Sequence, residues 1–201
     1  MQVASAEGYV RDPELVINFY NERRKQLLDV EPNAGHTGLA ELEKDFNVTV
    51  VTQNVDNLHE RAGSTHVIHL HGELTKVCSS RDPYNPRYVR ELKPEEYEVK
   101  MGDKAGDGSQ LRPFIVWFGE AVPEIETAIG YVEKADIFVI IGTSMNVYPA
   151  AGLLNYVPRT AEVYLIDPKP VDIHSMRRIH VIQKGASEGV KELQSLLFTP
   201  L

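Results

Sequence analysis

The chain has 201 residues, 42% of them hydrophobic and 25% charged, with 21 Lys and Arg against 29 Asp and Glu for a formal net charge of −8. This composition excludes a disordered, collagenous or coiled-coil chain, and the length is enough for a real apolar core. The acidic balance, with no basic run longer than Arg23-Arg24-Lys25, argues against a nucleic-acid partner, and the single cysteine, Cys78, excludes an intrachain disulfide and every Cys-rich zinc site.

The first segment with a clear pattern is 13–28. Asp12 is a suitable N-cap, Pro13 suits the first helical position, and Leu15, Phe19 and Tyr20 recur at helical spacing. A second helix is expected over about 35–46, with Leu39 and Leu42 inward. The run 48–53 is β-branched and too apolar for a half-exposed strand, so it is expected in a buried parallel sheet. Further strands are expected at 67–70, 114–118, 137–141, 163–166 and 179–182, with helices over 124–132 and 187–197. Alternation of this kind predicts an α/β fold, a Rossmann-like doubly wound parallel sheet. The interval 73–112 interrupts it, being rich in Pro, Gly, Tyr and charge, and is expected to form a small lobe, with 1–72 and 113–201 as the α/β domain. The strongest apolar run, 137–141, is far shorter than the ~20 residues that cross a bilayer. Residues 1–5 lack a basic segment followed by an apolar one, so a cytoplasmic setting without membrane contact is expected.

Three segments carry polar groups at strand ends, where open α/β sheets bind ligands. In Thr52-Gln53-Asn54-Val55-Asp56-Asn57-Leu58-His59 the amides and carboxylate read first as loop-closing and helix-capping groups, and second as ligand contacts. Gly142-Thr143-Ser144 offers a close backbone approach and two hydroxyls. His69-Leu70-His71-Gly72 places two imidazoles on one face by strand alternation, each a structural histidine or a proton acceptor near neutral pH.

Taken together, these segments resemble the sirtuins, NAD-dependent protein-lysine deacylases. The similarity runs through 52–63, His69-Leu70-His71-Gly72, Val116-Trp117-Phe118-Gly119-Glu120 and Gly142-Thr143-Ser144 in the family's order, and covers the chain except the lobe. The resemblance implies that His71 is the general base toward a ribose hydroxyl of NAD. It implies that Gln53, Asn54, Val55 and Asp56 lie around the nicotinamide ribose, that Gly142, Thr143 and Ser144 lie on the adenosine-phosphate side, that Asp167, Pro168 and Lys169 meet the adenine ribose, and that Ala186 touches adenine. Val116, Trp117, Phe118 and Gly119 would form the apolar tunnel and backbone edge for acyl-lysine proteins or peptides.

A Tyr-x-x-Arg pair, Tyr20 and Arg23, resembles the family's subclass that removes succinyl and malonyl groups. Arg supplies a forked cation for the acyl carboxylate and Tyr a second donor. The segment differs from the family in two respects. The glycine-rich segment that cradles the pyrophosphate is not in these 201 residues, so Met1 is expected to be an internal methionine of a longer frame. The lobe keeps one sulfur, Cys78, where most members carry two cysteine pairs; no zinc is expected, and Tyr84, Tyr88 and Tyr97 are expected to hold the lobe by packing alone. The other readings are an inactive acyl-lysine-binding module and an ADP-ribosyltransferase. Oligomeric state is left open.

Overall fold

The computed structural model describes residues 3–143, 150–170 and 178–198. The elements run α1 (Ala6–Arg11), α2 (Pro13–Leu28), α3 (Ala34–Leu42), β1 (Val50–Thr52), α4 (Leu58–Arg61), β2 (Val67–His69), β3 (Gly72–Ser79), β4 (Arg90–Glu91), β5 (Leu111–Ile115), α5 (Ile125–Val132), β6 (Ile137–Ile141), β7 (Glu162–Ile166), β8 (His180–Ile182) and α6 (Ala186–Phe198). The chain divides into two units: Met1–Glu31, Thr52–Asn57 and His69–Pro123 form one, and Pro32–Val51, Leu58–Ile68 and Glu124–Leu201 the other.

In the first unit the Asp12 carboxylate accepts the Leu15 N–H at 2.9 Å, which caps α2 as its sequence predicts. The buried stripe of α2 is not the expected Leu15-Phe19 line. It runs through Val16, Ile17, Tyr20, Asn21, Arg24 and Leu27, while Leu15 is exposed. Two polar side chains sit in that stripe because they serve the lobe. Arg24 donates to the Tyr97 carbonyl at 2.7 Å, the Leu74 carbonyl at 3.4 Å and Asn21 Oδ1 at 2.6 Å. Asn21 in turn donates to the Val99 carbonyl at 2.8 Å and accepts the Val99 N–H at 3.0 Å. Burial lowers the Arg24 pKa to about 10, so the guanidinium stays charged at neutral pH.

The lobe is therefore not held by packing alone. Around this polar network Ile17, Val77, Leu92, Val99, Ala105 and Leu111 form one apolar cluster. The segment 73–112 lies within the first unit, together with α1, α2, 52–57, 69–72 and 113–123. Its backbone is an antiparallel sheet in the order β4-β3-β5. β3 is the longest strand, yet Glu73 and Lys76 hide it from an apolar-run reading; the two side chains pair with each other at 2.7 Å. β5 lies three residues earlier than the expected 114–118, because the chain turns out of the sheet at Val116.

A clasp closes the far end of β3 and β5. Ser79 Oγ donates to Asp107 Oδ2 at 2.7 Å and accepts the N–H groups of Arg81 and Asp82, while Ser109 donates through N–H and hydroxyl to Asp107 Oδ1. Cys78 beside it is fully buried, and burial pushes its thiol up to about 12, leaving a neutral sulfhydryl over the Pro113 carbonyl at 3.7 Å.

In the second unit β6, β7 and β8 pair in parallel in that order, with Ile141 opposite Ile166 and Ile166 opposite Ile182. Their apolar, β-branched sequences pair as a parallel sheet, as expected, with Ile140, Val163, Leu165, Ile166 and Ile182 buried and the other positions half-buried or exposed. α6 and α3 cover it. Leu42, Ile166, Ile182, Val190 and Leu193 form the core. A Cβ on Gly189 would collide with Ile166 Cγ2, and one on Gly38 would lie 2.7 Å from Val190 Cγ1, so both glycines set close approaches. α3 starts at a capping box between Asn33 and His36 and ends at Leu42, four residues before the expected end, in the charged turn of Glu43, Lys44 and Asp45. The β1–β2 pair passes through both units. The Val50 N–H donates to the His66 carbonyl and the Leu70 N–H to the Thr52 carbonyl, a parallel progression.

Hydrogen bonds from Ser79 and Ser109 hold the Asp107 carboxyl down to about 2. A depressed folded-state pKa gives stability that is complete above the unfolded value of about 3.9 and is lost as pH falls through about 2. The urea midpoint of the wild type should fall over that window, and Asp107→Asn should flatten the fall. An unchanged slope in the variant would show that the clasp does not couple to folding.

Candidate active site

The site in the first unit starts from where β1 and β2 end. After Thr52 the chain turns through Gln53 and Asn54, with the Asn54 N–H donating to Thr52 Oγ1 at 3.1 Å. Two imidazoles seize the next carbonyls. His69 Nδ1 lies 3.2 Å from the Asn54 carbonyl, and His71 Nδ1 lies 3.0 Å from the Gln53 carbonyl. A carbonyl only accepts, so the Nδ1 atoms carry the protons. That fixes the tautomer of His71 and leaves Nε2 with the lone pair, the form a general base needs. β2 ends at His69 and His71 stands in the following turn, so strand alternation does not place the pair; the two adjacent carbonyls do. His69 is buried and His71 half-buried.

The glycine after His71 is obligatory. Gly72 has φ +82°, and a Cβ there would strike the Phe114 carbonyl oxygen and lie 3.0 Å from Ile115 Cα. This close approach lets the His71 carbonyl accept the Val116 N–H at 2.9 Å, which ties the histidine turn to the segment after β5. The Leu74 N–H donates to the Val55 carbonyl at 2.7 Å and closes the other side of the 52–57 loop.

The segment 116–120 is the second part. Trp117 is 2% exposed and Phe118 79% exposed, so these neighbours do different things. Trp117 is an anchor: its Nε1 donates to the Tyr20 hydroxyl at 3.2 Å, the Arg112 guanidinium lies 3.8 Å from its ring centroid, and the Tyr9 ring lies 5.1 Å away. Phe118 and Gly119 are exposed. The Phe118 N–H is already taken by the Ala4 carbonyl, in a parallel bridge between Ser5 and Phe118. The open part of the expected backbone edge is therefore Gly119, at φ +90°.

Tyr20 and Arg23 are not brought to the same place. Tyr20 is buried, and burial raises its pKa, so it stays a phenol; having accepted the Trp117 N–H, it retains its own proton to donate. Arg23 is exposed, donates to Gln26 at 3.1 Å and lies 5.1 Å from the Phe19 ring centroid.

In the second unit Gly142 and Asp167 follow the paired strands β6 and β7. Gly142 is exposed at φ +60°, its N–H donates to the Ile166 carbonyl, and a Cβ on it would meet nothing within 4 Å among the described residues. A ligand has room to reach its backbone. Asp167 uses one oxygen to accept the Lys169 N–H at 2.8 Å. Pro168 and Lys169 are exposed, Thr143 is half-buried, and Ala186 opens α6 against Gly35 of α3. Ser144 lies outside the described residues. Among the described residues no group of three or more His, Cys, Asp or Glu could hold a metal ion, and no helix is long and apolar enough to cross a membrane.

Sequence reasoning did not single out Arg112; Asn57 stands in the 52–59 segment already read for capping or ligand contact, and its buried Oδ1 has no hydrogen-bond partner among the described residues. In the first unit, a buried acceptor without a donor among the described residues and a histidine whose Nε2 is left to a ligand fit a partner rich in hydroxyl and amide groups; in the second unit, Gly142 exposes its backbone.

Comparison with known proteins agrees with this geometry. The Sir2 family matches residues 1–149. An NAD-dependent protein deacylase of Bacteroides thetaiotaomicron is 83% identical over 196 residues, covering 98% of this chain and 84% of the relative. One from Helicobacter pylori strain 26695 is 48% identical over 197 residues, covering 98% and 83%. Among solved structures, a Sir2 homologue–NAD complex superposes with a TM-score of 0.82 at 34% identity, over 97% of this chain and 77% of that one. Sir2 bound to acetylated peptide gives 0.80 at 28% identity, over 96% and 82%. The Rossmann-like α/β fold is thus common to all of them.

Gly72→Ala should cost at least about 2 kcal/mol in urea unfolding, since a left-handed φ and a backbone collision add. A loss below about 0.5 kcal/mol would mean that the turn carrying His71 re-forms without the glycine.

Proposed function

Because the chain belongs to the Sir2 family, we propose that it is an NAD-dependent protein-lysine deacylase whose preferred acyl groups are succinyl and malonyl, with acetyl as a secondary substrate. NAD supplies the carbon that the acyl oxygen attacks and the nicotinamide that leaves, and water adds to the acyl carbon as the lysine amine departs, so the products are nicotinamide, the free lysine and O-acyl-ADP-ribose. The observation that carries this reading is the His71 Nδ1 contact with the Gln53 carbonyl at 3.0 Å. In the neutral imidazole that contact puts the proton on Nδ1, so Nε2 carries the lone pair that can take a ribose hydroxyl proton. Gln53, Asn54, Val55 and Asp56 are assigned to the nicotinamide riboside, supported by their place around that carbonyl. Gly142, Thr143, Ser144, Asp167, Pro168, Lys169 and Ala186 are assigned to the adenosine side, supported by the open Gly142 and the free Asp167 oxygen.

Val116, Trp117, Phe118 and Gly119 are assigned to the acyl-lysine protein or peptide, Trp117 as the fixed floor and Gly119 as the main-chain partner. Tyr20, with a hydroxyl proton still to donate, supports an acidic acyl group; Arg23 has to leave Gln26 to join it. The lobe is proposed to hold no zinc, supported by the neutral, buried Cys78 and the Ser79–Asp107–Ser109 clasp. One equivalent of zinc per chain in metal analysis would overturn that. The cytoplasm is the proposed setting, supported by a chain with one cysteine.

Nicotinamide release from NAD should be faster with a succinyl-lysine peptide than with its acetyl counterpart. His71→Ala should lower kcat by about 100-fold or more on both. Arg23→Met should raise KM for the succinyl peptide about tenfold and leave the acetyl peptide within about twofold. Equal rates on both peptides, unaltered by Arg23→Met, would remove the carboxylate claim and leave deacylation standing.

A further inference from the structure

Arg112 is buried, with only 4% of its surface exposed, and all three nitrogens of its guanidinium donate. Nη1 donates to Glu120 Oε1 at 2.9 Å, Nη2 donates to Glu120 Oε2 at 3.1 Å and to the Ile115 carbonyl at 2.9 Å, and Nε faces the Pro113 carbonyl at 3.4 Å. Its plane lies 3.8 Å from the Trp117 ring centroid. Glu120 is equally engaged: beyond the fork it accepts the Trp117 N–H at 2.8 Å and the Tyr84 hydroxyl at 3.3 Å. A short-range turn, with the Glu120 N–H donating to the Trp117 carbonyl, completes the loop.

This pair controls the main chain of 116–120. The Val116 N–H goes to His71, the Trp117 N–H to the Glu120 carboxylate, the Phe118 N–H to Ala4 and the Glu120 N–H to Trp117, leaving the Gly119 N–H without a partner among the described residues. A carboxylate folded back under its own loop would be costly without a cation to meet it. Arg112 meets it with a two-point fork that fixes direction as well as charge, which an ammonium does not.

We propose that Arg112 and Glu120 are positioning residues for acyl-lysine binding: their fork locks Trp117 in place and presents the Gly119 edge to the substrate main chain. Neither side chain touches the reacting atoms; both act through the loop. The identity of the ligand rests on the deacylase reading above, but the loop mechanism is testable without turnover, because Trp117 is the one tryptophan of the chain and its emission reports on the loop directly.

Arg112→Lys keeps the charge and loses the fork and the flat contact; Glu120→Gln keeps the shape and loses the ion pair. Each should raise KM for an acyl-lysine peptide about tenfold, keep KM for NAD within about twofold, and shift Trp117 emission to the red. The double variant should cost no more than the worse single one, since the two act as a unit. Should Arg112→Lys fail to fold by far-ultraviolet circular dichroism, Glu120→Gln and the milder Tyr84→Phe carry the same comparison, the last with a smaller effect in the same direction. Peptide KM and emission both unchanged would overturn the proposal, as would an equal rise in KM for NAD, which would make the pair a general support of the unit. If the wild type releases no nicotinamide, the deacylase reading falls, and titrating Trp117 emission with the peptide decides the proposal: weaker binding by Arg112→Lys upholds it, and no response in the wild type overturns it.

Discussion

Two imidazoles hold two consecutive carbonyls, and the chemistry of the first unit follows from that contact. The Gln53–Asn54 peptides leave the end of β1, Gln53 half-buried and Asn54 exposed, and main-chain carbonyls taken from water need donors. His71 and His69 supply the donors. In the neutral imidazole each Nδ1 proton goes to a loop carbonyl, and on His71 that leaves the lone pair on Nε2. Stability and reactivity are therefore one interaction here: the proton that satisfies the loop is the proton that sets the tautomer. Gly72 is the geometric condition for it, because only a residue without Cβ brings the histidine turn against Phe114 and Ile115.

The lobe solves a different problem. A small, loop-rich segment buries too little apolar surface to order itself and commonly relies on a metal or disulfides. Here the second unit of support is a helix outside the lobe. α2 turns a polar stripe inward, and Asn21 and Arg24 satisfy the main chain of Leu74, Tyr97 and Val99, segments with little regular structure of their own. Each such bond contributes only about 1 kcal/mol net, but leaving any of those groups buried and unpaired would cost about 1–3 kcal/mol. The network thus specifies the lobe's conformation more than it drives its folding, and the Ser79–Asp107–Ser109 clasp does the same at the opposite end of the sheet.

How far the sequence discloses this depends on the range of the interaction. Local patterns read well. The capped start of α2 at Asp12-Pro13 and the β-branched strands at 137–141 and 162–166 carry their signals within a few residues, and the α/β architecture follows. The ends of α3 and β5 read less well, since a charged turn stops the first and the second is set by its non-local pairing with β3, from Gly72 opposite Ile115 to Ser79 opposite Leu111. β3 is missed because Glu73 and Lys76 look like a solvated loop until they pair. The burial of Arg24 has no local signal at all, because its acceptors lie 50 and 73 residues away. The candidate site divides the same way. The histidine turn and the 52–57 loop stand out as motifs, whereas the tie between Trp117 and Tyr20 spans 97 residues and is visible only in the fold.

Trp117 and Phe118 make the final point about adjacent side chains with similar chemistry. Both are large and aromatic, and a hydrophobicity scale treats them alike, yet one is buried to 2% and the other exposed to 79%. The difference arises from polar partners. Indole carries an N–H that must be satisfied on burial, and Tyr20 accepts it; its electron-rich face attracts a guanidinium, and Arg112 provides one. Phenylalanine has no donor to place and no such requirement. Once Trp117 is fixed inward, the turn of the backbone leaves Phe118 and Gly119 facing out, so the part of the segment available to a partner is decided by hydrogen bonds made to the residue before it.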